Sequence, residues 1–462
     1  MQRRRPHVLA GLAALALGAA CAKPAPPRGL LLVTVDTLRA DALGAYGAQG
    51  GLTPHLDDLA HDALVFDAAY APAPFTYPSI AAILSGRYPG ALGIQTNLSQ
   101  IPPDVPTLAS ALAAHGFRTG AVVSSYVLRG KARLAHAFDI YDDTLSPSAK
   151  PGGLQERTAP ATTDAALAAL DRLLGAQPGE PTRFFLWVHY QDPHGPYTPP
   201  PELAARARAL EPDAGRLEPL PTNHGGHGIP AYQVLGDERE VAAYRAAYHG
   251  EVAYLDAEIG RLLGGLADRK LRDETLVVFA ADHGEALGEH DVFFAHGHDL
   301  TDELTHVPLF FAGPGVDPGR RSDVASLVDL YPTLLARLVG DPGAADLPGR
   351  DLLADGADER ASVPYLDTLS YGATRRTGVV ADGYKLILTW KDGVWQSRLY
   401  RKGHEDVDLG ASAPQLTSAL RDRLGDLQHQ VVAEGRAELR QQLTPEERAQ
   451  LQVLGYASDG AP

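Results

Sequence analysis

Apolar runs rich in β-branched and aromatic residues recur along the chain, and helical spacing of apolar positions fills the segments between them. These runs lie at 30–35, 119–124, 184–189, 276–281 and 307–311. Uninterrupted runs of this length are typical of parallel strands buried on both faces. The spacing predicts helices over 107–115, 163–174 and 241–266. Strands that alternate with helices predict an α/β fold with a mostly parallel sheet flanked by helices.

The pattern changes near residue 362. Residues 383–388 are predicted to form a strand, and 411–442 have a helical period with many charges, which indicates a small α+β subdomain. Two stretches rich in Pro, Gly and polar residues, 146–160 and 199–233, are predicted to be surface loops. The second either borders a substrate cleft or is a solvated loop without a role. We therefore divide the chain into a catalytic domain at 29–361 and a C-terminal subdomain with a helical tail at 362–462.

The N-terminus is typical of a targeting segment. Basic residues at 3–5 precede a short apolar stretch at 8–20, and the only cysteine, Cys21, follows directly. The stretch is too short to span a bilayer as a helix. We predict a signal peptide over 1–20 and a tether over 21–28, and hence export to the bacterial cell envelope. Cys21 is either a lipid anchor, which would be the chain's only link to the membrane, or part of an ordinary signal.

The composition limits the classes of partner. The chain is 45% hydrophobic and 21% charged, which is typical of a folded enzyme. Its formal net charge of −16 disfavours nucleic acid as a partner. We expect a small-molecule, glycan-linked or lipid-linked anionic ester as substrate. Such a substrate would need a local positive centre, most simply a metal ion.

Acidic residues follow two of the predicted strands. Asp36 ends one apolar run, and Asp282 and His283 end another, just before a glycine. A carboxylate at the end of a buried strand is costly unless it is paired or binds a metal, although a strand-end Asp is also a common helix cap. An Asp and His donor set suits zinc or manganese better than an all-oxygen magnesium site. We predict that Asp36, Asp282 and His283 bind one divalent ion (zinc, manganese or calcium).

A hydroxyl group lies just before a predicted helix. Thr76 precedes Pro78, a residue suited to the first turn of a helix, where free N–H groups favour a bound anion. A metal could lower the pKa of the Thr76 hydroxyl and make it a nucleophile and a further ligand. The alternative is that Thr76 is a simple helix N-cap.

Histidines cluster at two further places. His194 follows the predicted strand 184–189, and four histidines, at 290, 296, 298 and 306, follow Asp282 closely. A side chain with a near-neutral pKa can protonate a leaving oxygen. We predict that His194 lines the cleft as a catalytic residue, with His296 or His298 beside it. Each of these histidines could instead only hydrogen-bond a loop.

The order of these motifs resembles the sulfatase-like family of the alkaline phosphatase superfamily. The resemblance covers 28–339 well and the tail more loosely, and it implies an alkaline-phosphatase-like fold and the cleft position of His194. It also places His296 or His298 where sulfatases use a Lys, so that a second metal shared with Asp192 is an alternative role. The motifs that carry the resemblance are Asp36-Thr37-Leu38-Arg39-Ala40-Asp41, Thr76-Tyr77-Pro78-Ser79, Ser85-Gly86-Arg87-Tyr88-Pro89, Asp192-Pro193-His194-Gly195-Pro196-Tyr197, Asp282-His283-Gly284-Glu285, Gly288-Glu289-His290, Val307-Pro308-Leu309 and Val328-Asp329-Leu330-Tyr331-Pro332-Thr333.

The chain departs from the family where sulfate is handled. Sulfatases oxidise a Cys or Ser to formylglycine at the start of a Cys-x-Pro-Ser-Arg pattern, but Thr76 holds that position and Ile80 replaces the Arg. Thr37 replaces the second of two paired Asp residues. The family's Gly-Lys-x-His segment is not recognisable at 122–129. The resemblance therefore implies a metal-binding set that is mostly present and a sulfate-handling set that is largely missing.

Three functions are consistent with this pattern. Relatives with a Thr nucleophile, among them nucleotide pyrophosphatase/phosphodiesterases and phosphoethanolamine transferases, move phosphoryl groups. The first hypothesis is therefore a metal-dependent hydrolase or transferase of phosphate mono- or diesters or phosphonates that uses Thr76. The second is a sulfuric ester hydrolase that works without formylglycine, and the third is a non-catalytic binding protein that retains the fold.

Overall fold

The computed structural model describes residues 26–130, 133–146, 155–175, 181–354, 363–369 and 374–453. The predicted signal peptide and Cys21 lie outside these residues. Within the described part of the chain, no helix is both long enough and apolar enough to cross a membrane.

The described strands and helices alternate over most of the chain, as the apolar pattern predicts. The strands are β1 Gly29–Val35, β2 Leu64–Phe66, β3 Ala69–Tyr70, β4 Ser99–Gln100, β5 Arg118–Val123, β6 Ile140–Asp142, β7 Phe184–Tyr190, β8 Thr275–Ala281, β9 Ala286–Leu287, β10 Phe293–Ala295, β11 His306–Val307, β12 Leu309–Ala312, β13 Gly319–Arg321, β14 Ala325–Ser326, β15 Tyr365–Leu369, β16 Arg375–Ala381, β17 Tyr384–Lys391, β18 Val394–Arg401 and β19 Leu439–Arg440. The helices are α1 Pro54–His61, α2 Thr76–Ser85, α3 Leu108–Ala114, α4 Ala159–Leu174, α5 Pro201–Arg208, α6 Val241–Asp268, α7 Asp302–Thr305, α8 Leu330–Val339, α9 Pro414–Ala433 and α10 Pro445–Val453.

The main sheet has the strand order β13-β2-β12-β8-β1-β7-β5-β6 in the described residues. Strands β8, β1, β7, β5 and β6 are parallel, and their central members are buried along their full length. Their carboxyl ends consequently lie together at one edge of the sheet. The predicted α/β class, with a mostly parallel sheet and a small C-terminal subdomain, is confirmed.

One predicted strand is wrong in detail. The run 307–311 is divided at Pro308, so that β11 pairs with β3 in a separate sheet while β12 pairs with β8 in antiparallel orientation. Proline has no N–H group to donate to a strand partner, and this favours the break. The apolar pattern alone could not indicate that the second half turns antiparallel.

The C-terminal subdomain is built on the antiparallel sheet β15-β16-β17-β18, with α9 packed against it. The helix predicted over 411–442 is too long, because α9 ends at Ala433, just before Gly435. The chain then returns as β19 to pair with β4 of the catalytic domain. The predicted loop 199–233 is also wrong in part, since it contains α5, which packs against α6.

Candidate metal centre and catalytic cleft

Two carboxylates meet at the carboxyl edge of the main sheet. Strands β1 and β8 are parallel neighbours, with Val35 opposite Ala281. Asp36 and Asp282 are the next residues on these strands, and both are fully buried. The Asp282 N–H donates to the Val35 carbonyl (3.1 Å), so the pairing continues to the acidic residues themselves.

Thr76 is the first residue of α2 and faces this acidic pair. Its Oγ1 lies 3.4 Å from each carboxylate oxygen of Asp36 and 3.4 Å from His283 Nε2. Phe75 precedes it as the N-cap, so the hydroxyl is directed at the cluster rather than capping the helix. The Ser79 hydroxyl donates to the Asp282 carbonyl at 2.6 Å, which fixes α2 against the end of β8.

The donor set fits a divalent cation. Ligand atoms of Asp36, Asp282 and His283 all lie within 4.8 Å of one another. Asp282 Oδ2 is buried and receives no hydrogen bond from a described residue. The imidazole of His283 donates from Nδ1 to the Gly284 carbonyl (2.9 Å), and this orients the Nε2 lone pair toward the carboxylates. These residues would hold a metal ion, and Thr76 Oγ1 would be a further ligand.

The charges of the cluster support this assignment. Burial by itself raises the pKa of Asp36, but the imidazoles of His194 and His189 more than offset it, so Asp36 is ionised. Burial, and then the charge of Asp36, raise the pKa of Asp282 well above its usual value. Burial, and then the neighbouring His296, lower the pKa of His283 to about 3, so its imidazole is neutral. A bound cation would allow both carboxylates to ionise, which repulsion otherwise prevents.

Thr37 stores backbone strain beside the cluster. Its φ is +55°, a left-handed value that is unfavourable for a β-branched residue. The Thr37 N–H faces Asp282 Oδ1 at 3.3 Å, and the Thr37 carbonyl accepts from the Tyr248 hydroxyl at 2.9 Å. Its buried hydroxyl has no hydrogen-bond partner among the described residues. The constrained backbone keeps Thr37, the position at which the resemblance implies a second Asp, beside the proposed metal.

The structure brings His194 and His296 to the cleft. The His296 ring lies 4.7 Å from the His283 ring and 5.2 Å from the His194 ring, measured between centroids. His194 is buried, and its Nδ1 is 2.7 Å from the Gly195 carbonyl. His296 Nδ1 is 3.1 Å from Glu285 Oε1. A chain of imidazoles therefore extends from the proposed metal to the residue predicted to serve the leaving group.

Two other histidines of the second cluster have different neighbours. His298 is half-buried beside His296, Asp299 and Arg376, and desolvation of its ring lowers its pKa to about 4. His306 Nε2 contacts the Asp67 carbonyl at 3.0 Å, on the side of β3. Of His296 and His298, only His296 is in ring contact with His283, so His296 is the better candidate for the cleft.

Two residues of the centre were not among the predicted site residues. His189 is the second-last residue of β7, next to β1, and its Nε2 lies 3.6 Å from Asp36 Oδ2. Glu285 is fully buried, and its Oε2 accepts from the Tyr197 hydroxyl at 3.2 Å. Burial raises the pKa of Glu285 to about 7, against the opposing effect of His194. Position at a strand end could have indicated His189, but the sequence has no signal for the burial of Glu285.

A second metal held by Asp192 and a histidine stays a prediction. Among the described residues, the groups of three or more His, Asp or Glu side chains close enough to hold an ion are the cluster at Asp36 and one formed by His290, Glu303 and Glu405, and Asp192 is in neither. Asp192 instead faces Glu251.

Known proteins resemble the chain over most of its length. A family model described as Sulfatase matches residues 28–340. The chain is 27% identical over 382 residues to a Delta 4,5-hexuronate-2-O-sulfatase of Bacteroides thetaiotaomicron, a match that covers 76% of this chain and 77% of that protein. A solved 2-O GAG sulfatase superposes with a TM-score of 0.69 at 23% identity, covering 95% and 99% of the two chains. A phosphonate monoester hydrolase of Agrobacterium radiobacter superposes with a TM-score of 0.67 at 19% identity, covering 88% and 96%.

Proposed function

We propose that this chain, which belongs to the sulfatase family and is a hydrolase of ester bonds, uses Thr76 as a nucleophile on phosphate mono- or diesters or phosphonate esters. The observation that carries the proposal is the position of the Thr76 hydroxyl. It stands at the start of α2 and points at Asp36 and His283 rather than capping its helix. We expect the nucleophile of a family member at this position, at the start of α2 and facing the metal ligands.

Members of the family are metal-dependent, and Asp36, Asp282, His283 and Thr76 would hold the ion here. When bound, a divalent metal would lower the pKa of the Thr76 hydroxyl and neutralise the anionic oxygens of the ester. Thr76 Oγ1 would attack phosphorus and form a phospho-threonine, while the ester oxygen leaves with a proton from His194. Water, or an alcohol in a transferase, would then release the phosphoryl group.

The choice of phosphorus over sulfur rests on the nucleophile. A threonine cannot form the formylglycine hydrate on which sulfatases depend, and the only cysteine lies in the predicted signal segment. A fold of this kind is compatible with phosphorus chemistry, because a phosphonate monoester hydrolase has it too. The alternative is sulfuric ester hydrolysis without formylglycine, which is favoured by the names of the curated relatives.

A substrate panel tests the proposal. The purified protein, loaded with zinc, manganese or calcium, is given an aryl phosphate monoester, a diester, a phosphonate ester and an aryl sulfate with the same leaving group. We expect kcat/KM to be highest for one of the phosphorus esters. Faster hydrolysis of the sulfate would favour the alternative, and no turnover of any ester by the metal-loaded protein would contradict both.

A further inference from the structure

A polar cavity adjoins His194. Its volume is about 270 Å³, and it lies between the start of α4, the loop after β7, the start of α5 and one turn of α6. We call it the acidic cavity, because three carboxylates line it: Glu156, Asp192 and Glu251. Neither Lys nor Arg is among the described residues that line it.

Glu251 is the most informative of these carboxylates. It projects from α6, and only 4% of its surface is exposed. Its Oε1 accepts a hydrogen bond from the Thr198 N–H at 2.6 Å. Its Oε2 receives no hydrogen bond from a described donor, and neither does Asp192 Oδ2, which is also buried. With both acids ionised, these buried oxygens would face each other without a donor, so the pair needs either a shared proton or a positive group from outside the chain.

The two carboxyl groups face each other closely. Burial, and then the charge of Asp192, raise the pKa of Glu251 to about 9, and burial raises the pKa of Asp192 to about 6. In the absence of a cation, the pair therefore shares a proton. An organic cation would replace that proton and restore both charges.

The remaining walls favour an ammonium group over a metal ion. Glu156, Asp192 and Glu251 do not form one of the tight ligand groups found among the described residues. Four prolines and Tyr254 complete much of the lining, and their rings suit the methylene or methyl groups of an organic cation. The volume lies below the roughly 300–1,000 Å³ of drug-sized ligand sites, which fits a small head group.

We propose that the acidic cavity binds an ammonium group on the alcohol portion of the ester, so that the preferred leaving group is a small cationic alcohol. The inference rests on the proposed function, because His194 lines the cavity and would protonate the oxygen of that same alcohol. The anionic end of the substrate would then lie at the metal cluster and the cationic end in the acidic cavity. The net charge of the substrate would be less negative than for a simple phosphate ester, which suits a chain with a formal charge of −16.

A matched pair of substrates provides the test. The phosphate esters of trimethylammonioethanol and of 3,3-dimethylbutanol have the same shape and differ in the positive charge. For the metal-loaded protein we expect kcat/KM to be about 10–100-fold higher for the ammonium ester, because a close ionic contact with a buried carboxylate is worth a factor of this order. The Glu251→Gln and Asp192→Asn variants should bring the ratio of the two values close to one, whereas Glu202→Gln, an exposed change on nearby α5, should leave the ratio as in the wild type.

A binding measurement separates this inference from the proposed function. Calorimetry with free trimethylammonioethanol needs no turnover, and we expect its affinity for the metal-loaded protein to fall about 10-fold or more in Glu251→Gln. Equal turnover of the two esters, or equal binding by wild type and Glu251→Gln, would overturn the inference even if phosphorus esters are hydrolysed. A second bound manganese ion that disappears in Glu251→Gln would also overturn it. If neither ester is turned over but the free ammonium alcohol binds through Glu251, the cavity assignment stands and the proposed reaction fails.

Discussion

Thr76 Oγ1 lies 3.4 Å from both carboxylate oxygens of Asp36, forty positions earlier in the chain. A neutral hydroxyl at that distance contributes little to the solvation of a fully buried carboxylate. Both residues are therefore arranged around a point that a positive ion would fill. This relationship connects the helix start to the strand end and defines the proposed centre.

Removal of the metal should destabilise the protein. A ligand that binds only the folded state adds about 2.7 kcal/mol at a concentration 100-fold above its Kd. We expect the melting temperature of the wild type to fall on chelation and to recover when manganese or zinc is added back. The Asp36→Asn variant should respond far less, while Asp58→Asn, an exposed change on α1, should respond as the wild type does. A melting temperature that is independent of metal in the wild type would exclude this centre.

His194 should matter most for poor leaving groups. A general acid is worth about 10²–10⁴-fold where the departing oxygen needs a proton, and little where the leaving group is already acidic. We expect His194→Ala to slow alkyl phosphate hydrolysis by a factor in that range and nitrophenyl phosphate hydrolysis much less. His61→Ala, whose side chain is 88% exposed, serves as the control. Equal losses for the two substrates would indicate a positioning or metal-binding role instead.

Much of the fold was predictable because the apolar runs are long and each carries a strand. The metal cluster was predictable for a related reason: residues that end adjacent parallel strands must meet, and Asp36, Asp282 and His283 do so. The resemblance to the sulfatase-like family, drawn from motif order, is confirmed by the family model. Motif order was informative because several motifs, each weak by itself, occur along this chain in the same order as in the family.

The rest depended on contacts that sequence separation conceals. Glu251 meets Asp192 only because α6 crosses the loop after β7, and no local pattern marks a buried glutamate on a long helix. The antiparallel orientation of β12 depends on its pairing with β8 rather than on its own residues. The choice between His296 and His298 required the path of the loop after β10, since the two are separated by one glycine.

The acid pair of the acidic cavity should make the stability of the ligand-free wild type depend on pH. A carboxyl with a raised folded-state pKa stabilises the fold at low pH and loses that contribution as the pH rises through the folded value. For Glu251, which faces Asp192 and Glu156, this stabilisation is lost between about pH 4.5 and about pH 9. Ligand-free Glu251→Gln keeps an acceptor for the Thr198 N–H and gains a donor for Asp192. It should therefore melt on the order of a few degrees above the wild type at pH 8, and the difference should shrink toward pH 4.5. A difference independent of pH would contradict the buried acid pair.

Attachment to the membrane is proposed to depend on Cys21. Metabolic labelling with a fatty acid should mark the full-length protein, and Cys21→Ser should abolish the label, because no other cysteine is present. An unlabelled wild-type protein recovered outside the cell would show that the segment is an ordinary cleaved signal.

The central claim is that Thr76 forms a covalent bond to phosphorus, and peptide mapping of an acid-quenched reaction tests it most directly. The metal-loaded protein is mixed with excess aryl phosphate and quenched during turnover, and its peptides are analysed by mass spectrometry. We predict phosphate on Thr76 in the wild type, on the serine at that position in Thr76→Ser, and on neither Ser79 nor any other residue in Thr76→Ala. Turnover in Thr76→Ala should fall by at least about 10³-fold. Undiminished phosphate hydrolysis by Thr76→Ala, or an adduct on a different residue, would contradict the account.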